Sequence, residues 1–281
     1  MKKWLLLGAV LAFAVGMTGV AWGHVGMDWF AVEVTPGQIT IDADLSDWAW
    51  VDDAYILTSD DLPDVLGGEM PPKDDWDCAL YSGWSRPPDN MLYFGVHIVD
   101  DMFNNDTPDP GNSYKDDCVE MIVDPDHSGG NFREGDVHGI TAQQYGIHIP
   151  GAGGTALVYQ WAQDEQQWST QEPWFVAVYD DSDLPNATYE WKMALWDRHD
   201  PAGPDASQRH MNAPDQMIGF QIQIDDVDAE PDTRDHQPGT GGTESGSAWT
   251  DATVISGLIL VPGEGTAVEA SSWGTVKATF R

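Results

Sequence analysis

Short apolar runs that alternate residue by residue, and never lengthen into a helical period, constrain this chain more than any other feature. In residues 189–195, Tyr189, Trp191, Met193 and Leu195 fall on one side and Glu190, Lys192 and Ala194 on the other. In residues 218–225, Phe220, Ile222 and Ile224 alternate with Gln221, Gln223 and Asp225. A period of two describes a strand with one buried and one polar face. No stretch of about 12 residues combines a helical period with caps. The 29 glycines and 18 prolines divide the apolar runs into strand candidates. These are residues 38–42, 78–84, 91–99, 118–124, 144–149, 155–161, 174–179, 189–196, 218–225 and 254–261, with a last one at 275–280. Residues 91–99 are apolar almost throughout, as in a central strand covered on both faces. The expected fold is all-β: a two-sheet antiparallel β-sandwich of immunoglobulin-like or jelly-roll type, with its core between the sheets and long acidic loops outside.

Charge narrows the partners. The chain carries 47 acidic and 12 basic residues, a formal net charge of −35. No basic surface is expected that could displace counterions from nucleic-acid phosphates or dock on anionic lipid. At 41% hydrophobic residues the chain has material for a real core. Lys2 and Lys3, an apolar stretch from Trp4 to Val15, and Ala21-Trp22-Gly23 read as a secretory signal peptide, residues 1–23. Residues 24–281 then form one domain, secreted or periplasmic and off the membrane once the leader is removed. The two cysteines, Cys78 and Cys118, form an even pair in an exported chain, and a disulfide is expected. The chain lacks CxxC, CxxCH, HExxH, GxSxG, P-loop and dinucleotide motifs.

Several blocks then occur in a definite order. Residues 39–48 read Ile-Thr-Ile-Asp-Ala-Asp-Leu-Ser-Asp-Trp, and 78–84 form the next block. Residues 92–101 follow as Leu-Tyr-Phe-Gly-Val-His-Ile-Val-Asp-Asp, then 114–124 as Tyr-Lys-Asp-Asp-Cys-Val-Glu-Met-Ile-Val-Asp. Next come 189–195 and 218–226, and then Trp249 ahead of Gly257-Leu258-Ile259-Leu260. This order resembles the family 9 carbohydrate-binding modules, from about residue 38 to 262. The resemblance implies an exported, non-catalytic β-sandwich that holds a sugar between two aromatic rings and carries structural calcium. It places the rings at Tyr114 and Trp249, and the hydroxyl-binding groups at Glu120, Gln223 and Arg234. The family's further arginine, on the strand after Glu120, has no counterpart; residues 143–145 offer amide and phenol groups there.

The residue chemistry agrees. A pyranose shows a C–H face that aromatic rings cover and a hydroxyl edge that carboxylate, amide and guanidinium groups bond. Trp191, Trp174, Trp161 and Trp84 read as core, while Trp48 and Trp50 read as plugs at the end of the sandwich. Calcium takes about six to eight oxygens from flexible acidic loops. The candidate ligands are Asp124 and Asp126, ahead of a glycine turn, Asp100 and Asp101, and Asp226 and Asp228. A glycosidase needs a second, paired carboxylate, and none is identifiable beside Glu120, so no enzyme is expected. The rival reading is an electron-transfer domain of the related DOMON-like sandwich, with haem held by Met121, His138, His148, His210 or Met211.

Overall fold

The computed structural model describes residues 26–135, 138–149, 154–162, 167–228, 233–242 and 247–263. The expected leader and the strand predicted at 275–280 lie outside these residues. Fourteen strands occur among them, linked by loops and short 3-10 turns. In chain order they are β1 (Asp28–Glu33), β2 (Leu57–Thr58), β3 (Trp76–Trp84), β4 (Leu92–Asp100), β5 (Val119–Asp124), β6 (Gln143–His148) and β7 (Gly154–Thr155). They continue with β8 (Leu157–Gln160), β9 (Phe175–Asp180), β10 (Ala187–Met193), β11 (Trp196–Arg198), β12 (Gln208–Arg209), β13 (Met217–Ile224) and β14 (Gly257–Val261). No helix among the described residues is long and apolar enough to cross a membrane.

All but β11 and β12 join one twelve-stranded sheet in the order β7-β9-β10-β4-β3-β1-β14-β13-β5-β6-β8, with β2 paired to β3. The expectation was two stacked sheets; β1 makes them one. It pairs in parallel with β14 on one side and with β3 on the other. The joined sheet turns its two halves toward a shared core: Phe94 of β4 stacks on Phe220 of β13 at 5.0 Å and on Trp191 of β10 at 5.0 Å. The period-two reading holds for this layer, since Tyr189, Trp191, Met193, Phe220, Ile222 and Ile224 are all buried in it.

Four expectations need correction. β1 was not foreseen, and residues 38–42 are not a strand but a loop whose Asp42 and Ala43 amides bond Glu190. Trp50 is 44% exposed and plugs nothing, whereas Trp48 is fully buried. Trp174 is not a core residue of the inner layer; it packs on Trp196 and Trp168 outside the sheet. Cys78 and Cys118 are separate buried thiols and form no disulfide. Cys78 sits on β3 opposite Ile98 of β4, while Cys118 precedes β5 and donates its thiol to Asp225 at 3.2 Å. Between β3 and β5 the sheet interposes β1, β14 and β13.

Candidate functional site

The outer face of β6, β5 and β13 is polar and roofed by loops. Register places Glu120 of β5 between Gln223 of β13 and Gly146 of β6. Met121 and Val123 point into the apolar layer, so Glu120 points the other way. Glu120 is nevertheless only 2% exposed. Its Oε2 accepts from Gln223 Nε2 at 2.7 Å and from Gln144 Nε2 at 3.1 Å. Gln221 donates in turn to Gln223 Oε1 at 2.7 Å. The hydrogen bonds to Glu120 among the described residues all go to Oε2 and leave Oε1 without one, and Gln221 Oε1 is buried with no partner among the described residues. Gly146 is required here, because a Cβ at that position would lie 2.7 Å from the Trp161 ring.

Two aromatic rings stand on the loops around this floor. Tyr114, 36% exposed, ends the 3-10 turn Pro110–Lys115, whose N-cap Asp109 accepts from the Gly111 amide. Trp249, 50% exposed, lies in the loop before Ala252, where Ser247 O accepts from the Thr250 and Asp251 amides. Each ring carries an arginine. Arg234 lies 5.9 Å from the Tyr114 centroid, and Arg133 lies 5.1 Å from that of Trp249. Arg234 is tied to buried Asp225 at 3.1 Å, and Gln237 also donates to Asp225, at 2.7 Å. Burial, then repulsion from Glu120, pushes the Asp225 carboxyl up, and Arg234 opposes that rise.

All five residues expected at the sugar site therefore gather in one region. Gln144 and Arg133 join them. Gln144 falls in the 143–145 stretch already noted for its amides. Arg133 was missed, since it comes from the loop after β5 and no spacing marks it. It donates to Gln144 Oε1 at 2.7 Å. Among the candidate haem ligands, Met121 is fully buried in the inner layer, and His210 is held between Asp197 and Gln216.

A second polar centre lies where the end of β4 meets the loop after β13. Carboxylate oxygens of Asp100, Asp226 and Asp228 come within 4.8 Å of one another, as do those of Asp75, Asp101 and Asp228. Asp226 is 1% exposed, and its Oδ2 is buried with no partner among the described residues, like Oδ1 of Asp228. Desolvation first, and repulsion among these acids second, pushes Asp100 up to about 7 and Asp226 to about 8. The same two causes push Asp228 to about 6. Four of the six expected metal ligands thus converge. Asp124 and Asp126 sit apart, in a turn where Asp124 accepts from the Ser128 and Gly129 amides. Among the described residues no third metal-ligating side chain joins them.

Residues 84–262 match the family model described as carbohydrate family 9 binding domain-like. Two solved structures share the fold, both of a family 9 carbohydrate-binding module from Caldicellulosiruptor kristjanssonii. The one in complex with cellotriose has a TM-score of 0.56 at 16% identity, covering 86% of this chain and 97% of that one. The one in complex with glucose has a TM-score of 0.54 at 15% identity, covering 86% and 99%. Comparison with curated proteins finds no match.

Proposed function

The chain belongs to the carbohydrate family 9 binding domain-like family, and on that premise we propose that it is an exported sugar-binding protein that holds its ligand without cleaving it. One observation carries this reading. A buried carboxylate, Glu120, has one oxygen saturated by glutamine amides and the other without a donor among the described residues, on a floor flanked by two exposed rings. A sugar hydroxyl is the neutral donor that such an oxygen takes, and charge strengthens the bond. Trp249 and Tyr114 cover the C–H face of the ring, Gln223 and Gln144 orient Glu120, and Arg234 holds Tyr114 in place. The similar structures that hold glucose and cellotriose make β-glucosides the first ligands to try. Titration calorimetry against glucose and cellotriose tests the reading, and absence of heat with both and with a broader glycan panel would defeat it.

The same reading includes structural calcium. Asp100, Asp226 and Asp228, with Asp101 and Asp75 beside them, supply the hard oxygens that calcium prefers, and the orphaned oxygens of Asp226 and Asp228 are free to coordinate it. Calcium there would neutralise carboxylates at the root of the loop that carries Arg234.

A further inference from the structure

We propose that Arg133 is the residue that sets which hydroxyl pattern this site accepts, acting with Trp249 as one preformed unit. The proposal rests on the sugar-binding reading above and assigns the part that reads the sugar's edge.

Asp124 gathers the Ser128 and Gly129 amides and so turns the chain sharply after β5. The segment that leaves this turn is stitched to the Trp249 loop. Phe132 N donates to Thr250 O at 3.0 Å, Ala252 N to Gly130 O at 2.9 Å, and Gly130 N to Thr253 Oγ1 at 2.8 Å. Beneath the stitching, Phe132, Ala248, Ala252, Ile255 and Ile122 share a small buried cluster. Arg133 and Trp249 each lie one residue from an anchored neighbour, Phe132 and Ala248. Their mutual placement is therefore built into the fold, with little left to order on binding.

The two arginines differ in their partners. Arg234 is neutralised by Asp225. Arg133 has no carboxylate partner among the described residues; its one side-chain hydrogen bond goes to the neutral Gln144. Its Nε and Nη2 hydrogens meet no described acceptor. A guanidinium presents its donors as a planar fork, which matches two oxygens on adjacent carbons. In a chain of net charge −35, this cation stands beside an exposed Trp with no carboxylate partner among the described residues. Through Gln144 it also connects to Glu120, so donor fork and acceptor carboxylate are set at a fixed spacing. The ligand class that fits is a pyranose with two adjacent free hydroxyls on the edge beside the ring stacked on Trp249.

The test is calorimetry with the parent, R133A, R133K and, as a remote control, R198A, against glucose, cellotriose and the full set of monodeoxyglucoses. R133A is expected to weaken glucose binding about tenfold or more, with an unchanged melting curve, and R198A to bind as the parent does. R133K keeps the charge but not the fork, and its affinity is expected to stay nearer to that of R133A. The diagnostic result is non-additivity. At two adjacent carbons, removing the hydroxyl costs the parent affinity but costs R133A nothing further. Equal deoxy penalties in parent and R133A at every carbon, or parent-like binding by R133A or R133K, would overturn the proposal while leaving the sugar site in place. A parent that binds none of these sugars would remove the underlying reading instead.

Discussion

Glu120 and Glu190 occupy equivalent positions in the two halves of the sheet, yet the chain treats them in opposite ways. Each sits on an apolar strand with its side chain on the outer face, at 2% and 0% exposure. Each is paired in register with a glycine, Gly146 beside Glu120 and Gly95 beside Glu190, and a Trp ring lies over each glycine. The difference is in the donors. Glu190 takes the Trp48 indole on Oε1 at 2.8 Å and the Asp42 and Ala43 amides on Oε2, both at 2.9 Å. At Glu120 the covering Trp161 spends its N–H on Gly111 O, at 3.0 Å, and so anchors the turn that bears Tyr114. One Glu120 oxygen is left without a donor among the described residues. Burial alone therefore does not point to a ligand; a buried acid left half-bonded is the feature on which the proposed sugar site rests. The Asp226–Asp228 centre extends the series to acids whose oxygens the described protein leaves bare.

The largest effects are expected on the saturated side. Trp191 follows Glu190 on the same strand, faces inward and stacks on Phe94. Trp191→Ala should destabilise the fold by about 3–5 kcal/mol through the cavity it opens. Glu190→Ala strands one indole and two backbone donors in a buried site, and should cost about 3 kcal/mol. Thermal and urea melts measure both. Sugar affinity of the folded fraction should stay unchanged, and a specific loss of binding in Glu190→Ala with a normal melt would break the contrast.

The acidic centre should respond next. Asp228, Asp100 and Asp226 titrate in the folded chain at about 6, 7 and 8, against an ordinary 3.8. A raised folded value means that the stabilising contribution is complete below the ordinary value and is lost as pH climbs through the folded one. In chelator, the melting temperature should therefore fall between about pH 4 and pH 8. Calcium binds the deprotonated form and should reverse the fall, by about 2.7 kcal/mol at a hundredfold excess over its dissociation constant. Identical melts in EDTA and calcium across this range would remove calcium from the account.

What was legible in the sequence follows the same division. Alternation exposed the inner layer, because apolar burial is recorded residue by residue. Tyr189-Glu190-Trp191 and Val119-Glu120-Met121 are the same pattern, so the opposite fates of the two acids were not readable; those depend on Trp48, which reaches Glu190 from 142 residues away, and on where the Trp161 indole points beside Glu120. β1 escaped notice because its partners, β14 and β3, are distant in sequence. The cysteine count suggested a pair, but the fold holds the two as separate buried thiols, Cys78 on β3 and Cys118 just ahead of β5. The five residues proposed for the site came from resemblance to a family, and Arg133 lay outside its pattern because a different loop delivers it.

A medium effect belongs to the rings. Trp249→Ala and Tyr114→Ala should each weaken sugar binding by about 2 kcal/mol, roughly thirtyfold, with near-parental melts. Both rings stand in exposed loops, so their loss opens no core cavity. The comparison sharpens if Trp249→Ala costs more, since it also removes the platform on which Arg133 rests. A Trp249→Ala protein that melts like Trp191→Ala would place that ring in the fold instead of the site.

The smallest and most discriminating change is Glu120→Gln. It preserves the shape of the side chain and alters one charge. On the protein side, Oε2 has two amide donors, from Gln144 and Gln223, and a glutamine at 120 can keep its carbonyl toward them. On the ligand side, the group facing the sugar changes from an acceptor oxygen to an amide donor, and the charge that strengthened the hydroxyl bond is gone. Binding should weaken by about 1–2 kcal/mol, while the melt stays near that of the parent or rises as repulsion on Asp225 is relieved. The matching change Glu190→Gln must do the reverse, because both of its oxygens accept from the chain and an inserted amide N–H would oppose a donor already in place. Calorimetry and melts on the two Gln variants therefore form a crossed design: loss of stability at 190 without loss of binding, and loss of binding at 120 without loss of stability. If Glu120→Gln instead unfolds the protein like its counterpart, then Glu120 is a structural acid and the unbonded oxygen does not serve a ligand.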